Sequence, residues 1–168
     1  MHVKSTPQFE EGAGYMTAIE RGESKIRVRP MEPEDIESVL AIDSKITGVR
    51  RAATYTDLII GDLGKIPDLS FVAEVNGEVQ GFLLARRAYF GEPFTEVGLI
   101  QILGVDPDYW RQGIATRLIN ALVETCQSKK LNAVRIMVDE KDDQLQNLFQ
   151  RLGFRRGKLI DYTKTLSE

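Results

Sequence analysis

The chain has 168 residues and a formal net charge of −3, from 25 acidic and 22 basic residues. That length suits one α/β domain with a core able to stand alone, and the acidic balance argues against a nucleic-acid partner. One cysteine, Cys126, excludes an intramolecular disulfide and fits a reducing, cytoplasmic setting, and a single histidine, His2, argues against His-based metal sites and core-His triads.

Residues 1–24 mix Gly, Glu, Ser and Thr without an apolar signal-peptide core and read as an extended arm. The domain is expected over 25–168, and no apolar run approaches the ~20 residues of a membrane span. Residues 26–30 alternate apolar and basic side chains as a first strand. Pro33, Glu34 and Asp35 then mark a helix start, with Ile36, Val39, Leu40 and Ile42 as its buried face and Gly48 near its end. A second helix is expected over about 52–63, although Gly61 and Gly64 interrupt the pattern.

Strands over 70–75 and 79–88 flank Asn76-Gly77, the signal of a hairpin whose turn needs positive φ at both centres. Gly91-Glu-Pro marks the next loop, and 96–105 is a further strand. It runs into Asp106-Pro107 and a basic, Gly-containing loop opening a helix over 113–130. Such a helix start presents unpaired N–H groups and the positive dipole end, which together suit a phosphate. Gly113 allows close approach, Arg111 adds charge and Gln112 adds donors; the plainer alternative is a strand–turn–helix junction where Gly113 only relieves crowding. Cys126 shares an apolar stripe with Ile114, Leu118 and Leu122 and is expected to pack. A strand over 133–138, a helix over 142–152 and a last strand over 159–166 complete a mixed sheet with helices on both faces.

Val105-Asp-Pro-Asp-Tyr-Trp-Arg-Gln-Gly-Ile-Ala resembles the acyl-CoA signature V-x-P-x-x-[RQ]-x-x-G-x-[GA] of the GNAT N-acetyltransferase superfamily. Leu148-Phe-Gln-Arg-Leu-Gly-Phe154 resembles the downstream block [LF]-Y-x-x-x-G-F of that family. The resemblance covers roughly 26–166 and implies the GNAT fold, a single α/β domain with a mostly antiparallel sheet splayed between strands 4 and 5. It implies acetyl transfer from acetyl-CoA to a primary amine by direct attack in a ternary complex, with no metal. A peptide or protein amine is the favoured acceptor, a small amine the other option, and a homodimer is compatible. A noncatalytic acyl-CoA sensor or docking module is the alternative.

The same resemblance places Leu103, Gly104 and Val105 against pantetheine, and Arg111, Gln112, Gly113, Ile114, Ala115 and Thr116 around the pyrophosphate. Arg117 or Lys141 could reach the nucleotide phosphate or simply decorate the surface. Arg50, Arg51 and Tyr55 would wall the acceptor site, or form a solvated basic corner with a packed tyrosine. Trp110 departs from the signature, standing where Arg or Gln is preferred.

The positions that commonly carry a polar base or acid in the family hold Leu99, Met137 and Phe149 here. Glu96 is therefore the substitute candidate for general base and Tyr162 for general acid, with a solvated strand end and packing as their plainer readings. Gln101 could orient a substrate or water. Asp139 and Glu140 could attract a cationic acceptor, or be a charged loop.

Overall fold

The computed structural model describes residues 25–50, 68–90 and 95–166. Strand β1, Ile26–Pro30, leads through a single 3-10 turn at Pro33–Asp35 into helix α1, Ile36–Thr47, which Gly48 ends at φ 75° with its N–H on the Ser44 carbonyl. Proline at the turn start fixes φ where no N–H is needed, as expected from the sequence. Strands β2, Phe71–Val75, and β3, Glu78–Phe90, form the anticipated hairpin, with Asn76 at φ 54° and Gly77 at φ 90°. Strand β4, Thr95–Val105, helix α2, Ile114–Ser128, strand β5, Ala133–Ile136, and helix α3, Asp143–Arg151, follow in order.

The five strands lie in chain order, antiparallel through β4, with β5 parallel to β4. Each sheet face buries its own cluster. Leu83, Ala85 and Ile100 join Ile114, Leu118, Leu122 and Cys126 of α2 and Phe149 of α3 on one face. Val72, Phe82 and Leu84 join Val39, Leu40 and Ile42 of α1 on the other. Alternation along each strand produces this two-faced core. Cys126 is buried as expected, and that burial pushes its thiol up, away from nucleophilic use.

One expectation fails. Residues 159–166 form no strand; Leu159, Ile160, Tyr162 and Leu166 are exposed on an irregular segment. Alternation of apolar and polar residues gives a strand only where a partner edge is in register, and β5 is four residues long. The expected helix over 52–63, the loop at Gly91 and the arm over 1–24 lie outside the described residues.

Near the start of the domain, Arg29 donates to both Asp35 oxygens at 2.7 and 2.8 Å and to Glu74 at 2.7 Å. Burial alone would push the Asp35 carboxyl up, but the bonds from Arg29 and the Glu32 N–H hold it below the usual range. A carboxyl lowered on folding stabilises fully above its unfolded value of about 3.9, and that contribution fades as pH falls through the folded value. Arg29→Met should cost about 2–3 kcal/mol at pH 7, reduced from a fully buried pair by partial solvent access. Urea melts should show the difference between native and variant shrinking below about pH 4.

Candidate functional site

The candidate site begins where β4 and β5 part. Their parallel ladder runs from Val97 opposite Ala133 to Ile100 opposite Ile136 and goes no further. On its other side β4 stays paired to β3 as far as Val105. Among the described residues, 101–105 therefore have no strand partner on the β5 side, and their main-chain edge can bond an extended, amide-bearing ligand.

A bulge marks the same point. Leu84 faces Ile102 and Ala85 faces Ile100, so Gln101 is an extra residue on β4. Bulges bend a strand and increase its twist, which is the local cause of the divergence. Gln101, Leu103, Gly104 and Val105 thus lie together on this segment of β4. Gly104 permits the close packing there: a Cβ on it would lie 2.5 Å from Phe82 Cε1 and 3.3 Å from Ile46 Cδ1 of α1.

Beyond Val105 the chain turns through Pro107–Tyr109 with the Asp106 carboxylate accepting from the Asp108 N–H at 3.0 Å. Asp106 is buried, and its other oxygen takes the Lys45 ammonium from the end of α1, which raises the lysine pKa. This tether ties the helix to the loop across 61 residues of sequence. Its signal in the sequence was only an Asp before Pro107, which reads equally as turn chemistry. Trp110, 55% exposed, donates its indole N–H to the Val105 carbonyl at 2.8 Å and fastens the loop across the strand end.

Arg111 sits at φ 61° and Gly113 at φ 80°, turning the loop so that α2 begins beside the open edge. A Cβ on Gly113 would meet nothing within 4 Å, so the glycine is not relieving crowding; it supplies the left-handed backbone and leaves open space. No side chain caps α2 and its first turn carries no acid. The N–H groups of Ile114, Ala115 and Thr116 precede the first intrahelical donor, Arg117, which bonds the Gly113 carbonyl. Arg111, Gln112 and Gly113 are exposed around them. This arrangement can hold a phosphate anion.

The candidate base stands well back along β4. Glu96 is seven residues, roughly 23 Å, upstream of Leu103 on β4. It accepts from Arg87 at 3.2 Å, and Arg87 in turn bonds Asp68 beside Lys129. Tyr162 is 89% exposed on the irregular C-terminal segment. Phe149 is buried, edge-on to Phe154 with centroids 5.0 Å apart, and works as core. Met137 is exposed just past β5, and Leu99 is buried. Arg50 donates to Glu37 at 2.7 Å, whereas Arg51 and Tyr55 lie outside the described residues. Asp139 caps its own turn, accepting from the Lys141 N–H at 2.8 Å. Among the described residues no His, Cys, Asp and Glu cluster fits a metal ion, and no helix is long and apolar enough to cross a membrane.

Residues 36–154 match the family model described as Acetyltransferase (GNAT) family. A protein named as an acetyltransferase from Pectobacterium atrosepticum is 29% identical over 143 residues, covering 85% of this chain and 97% of its own. Among solved structures, the aminoglycoside N-acetyltransferase AAC(6')-Iy in complex with CoA superposes with a TM-score of 0.69 at 19% identity, covering 84% of this chain and 95% of that one. Naa50 of Arabidopsis thaliana, in complex with a bisubstrate analogue joining CoA to an acetylated peptide, gives a TM-score of 0.60 at 17% identity over 77% of this chain and 83% of its own. These two likenesses establish the fold.

Proposed function

The chain belongs to the acetyltransferase (GNAT) family, and we propose that it transfers an acetyl group from acetyl-CoA to a primary amine, a peptide or protein amine in preference to a small one. The observation that carries this reading is the open edge of β4 over 101–105 ending at a helix start with open space above Gly113. The first part suits the amides of a pantetheine arm and the second a pyrophosphate. Leu103, Gly104 and Val105 would line the arm, and residues 111–116 the phosphates.

Acetyl-CoA, when bound, supplies the acetyl group as a thioester for direct attack by the amine. The protein's part is to hold the two partners in line, and positioning alone can remove about 7–11 kcal/mol of barrier. An α-amine, with an ordinary pKa of about 7.7–8.0, needs little help to reach its neutral form, whereas a lysine at about 10.4 needs a base. With apolar Leu99 and Met137 at the positions that would otherwise carry a polar base, and Glu96 bonded to Arg87, an α-amine fits best.

Calorimetric titration with acetyl-CoA, followed by thiol release in the presence of peptides and small amines, tests the reading. Trp110 is the sole tryptophan and reports occupancy of the loop by fluorescence. Amine-dependent release is expected, and Glu96→Gln with Tyr162→Phe should change kcat less than threefold. Binding without release from any amine would instead support a sensor.

A further inference from the structure

Asp106 stands between the two parts of the candidate site. It follows Val105, the last residue of the open edge of β4, and precedes the turn through Arg111 and Gly113 that opens α2. Its backbone is held on both sides: the N–H donates to the Gln80 carbonyl of β3 at 2.9 Å, and the carbonyl accepts from the Tyr109 N–H at 2.8 Å. Its side chain is held as well. One carboxylate oxygen accepts from the Asp108 N–H at 3.0 Å, and the other takes the Lys45 ammonium. The Asp106 side chain is only 4% exposed, whereas that of Lys45 is 53% exposed.

A carboxylate closed off to this degree is costly to keep without a counter-charge, and removing one partner of such a pair leaves the other uncompensated. Lys45 supplies that charge, and its ammonium also lies 3.6 Å from the Asp108 carboxylate. Without the ammonium the cheapest relief is local. The turn Pro107–Tyr109 can lift and let water reach Asp106, because Asp108 and the following Trp110 are exposed and only Tyr109 of that turn packs against a core cluster. Such a movement carries residues 111–113 with it and alters the angle between the open strand edge and the start of α2. A ligand that must meet both parts at once is sensitive to that angle; the packing of the domain is not.

We propose that Lys45 is a positioning residue for acetyl-CoA: acting through Asp106, and without touching the ligand, it holds the phosphate turn in line with the open edge of β4 and so sets cofactor affinity. A residue of α1, which packs on one sheet face, thereby governs a site whose phosphate end is the start of α2 on the other. Charge is what the position requires. Arginine can supply it to the same carboxylate, whereas methionine keeps the length of the side chain and loses the charge. The pair of Arg29 with Asp35 is the contrast. It too joins a cation to a buried carboxylate, but it ties β1, three strands away from β4, to the turn before α1, so its loss falls on stability and not on the ligand. This inference rests on the acetyl-CoA part of the reading above.

The test uses the full chain and acetyl-CoA, with calorimetry, steady-state kinetics and melting curves on each variant. Lys45→Met should weaken acetyl-CoA binding about tenfold and raise its KM in step, with kcat changed less than about threefold and the melting temperature lowered by only a few degrees. Acrylamide quenching of Trp110, which bonds the Val105 carbonyl across the strand end, should increase in that variant before any ligand is added. Lys45→Arg should return affinity to within about threefold of native. Asp106→Asn keeps an oxygen for the Asp108 N–H and loses the charge, so it should match Lys45→Met, and the double variant should be at most about twofold weaker than either single one. Arg29→Met, measured well below its melting temperature, should bind acetyl-CoA as the native chain does. Native affinity in Lys45→Met overturns the inference, as does an equal loss in Arg29→Met. A further tenfold loss when Lys45→Met is added to Asp106→Asn also overturns it, by making Lys45 a direct contact. All three leave N-acetyl transfer standing. Failure of the native chain to bind acetyl-CoA overturns both, whereas binding without transfer to any amine overturns N-acetyl transfer alone.

Discussion

Gly113→Glu is expected to weaken acetyl-CoA binding by at least 100-fold while leaving the domain folded. The added Cβ meets no atom within 4 Å, so no clash disturbs the loop. The cost to the fold is the φ of 80°, roughly 1–2 kcal/mol for a residue with a side chain. A carboxylate at a helix N-terminus offsets part of that, by about 0.3–1 kcal/mol. For a chain of this length the net corresponds to a fall in melting temperature of only a few degrees. The ligand experiences a larger change. A new negative charge about 5 Å from a phosphate charge costs roughly 3 kcal/mol at an effective dielectric of about 20, which is about two orders of magnitude in Kd. The carboxylate also occupies the space through which the N–H groups of residues 114–116 are reached. Gly113→Asn separates charge from strain, because asparagine tolerates the left-handed region and is neutral. Its affinity should stay within about fivefold of native, by calorimetry or Trp110 fluorescence. Unchanged affinity in the Glu variant would remove the loop from the cofactor site.

Much of this arrangement is legible in the sequence alone. The Asn76-Gly77 turn, the stripe through Ile114, Leu118, Leu122 and Cys126, and the two family blocks are local signals, carried by neighbours a few residues apart. They fix element type, and the motif spacing fixes which strand feeds the loop. What they cannot carry is non-local. The alternation over 159–166 looks like a strand, yet strand formation depends on a free edge in register, which no property of the segment itself reports. Glu96 is a candidate base because it lies on β4, but a strand's length and alternation decide reach and face, and Arg87 claims its carboxylate. Lys45 and Asp106 are 61 residues apart, and Phe82 and Gly104 come together only through the register of β3 with β4.

That same register makes Gly104→Ala a severe change for so small a substitution. A single methyl group there would lie 2.5 Å from Phe82 Cε1 and 2.7 Å from Cζ, and Phe82 is fully buried in the α1-side cluster. At contacts this short, either the ring leaves its rotamer or β4 moves away from β3. Overpacking of this kind costs about 1–3 kcal/mol, which lowers the melting temperature by roughly 3–10 °C for a chain of this length. Because the strain falls on the open segment itself, cofactor affinity should drop as well, by about tenfold, whereas an equally destabilising change at Val39 of α1, away from that segment, should leave it alone. Phe82→Leu provides the second half of a double-mutant cycle: it frees the volume the methyl needs. If contact with the ring is the cause, the double variant should be more stable than the sum of the single changes predicts, by about 1 kcal/mol or more, and acetyl-CoA affinity should recover with it. Strict additivity would show that Gly104 matters for its backbone alone, and that the ring of Phe82 does not set the position of the edge on which pantetheine is expected to lie.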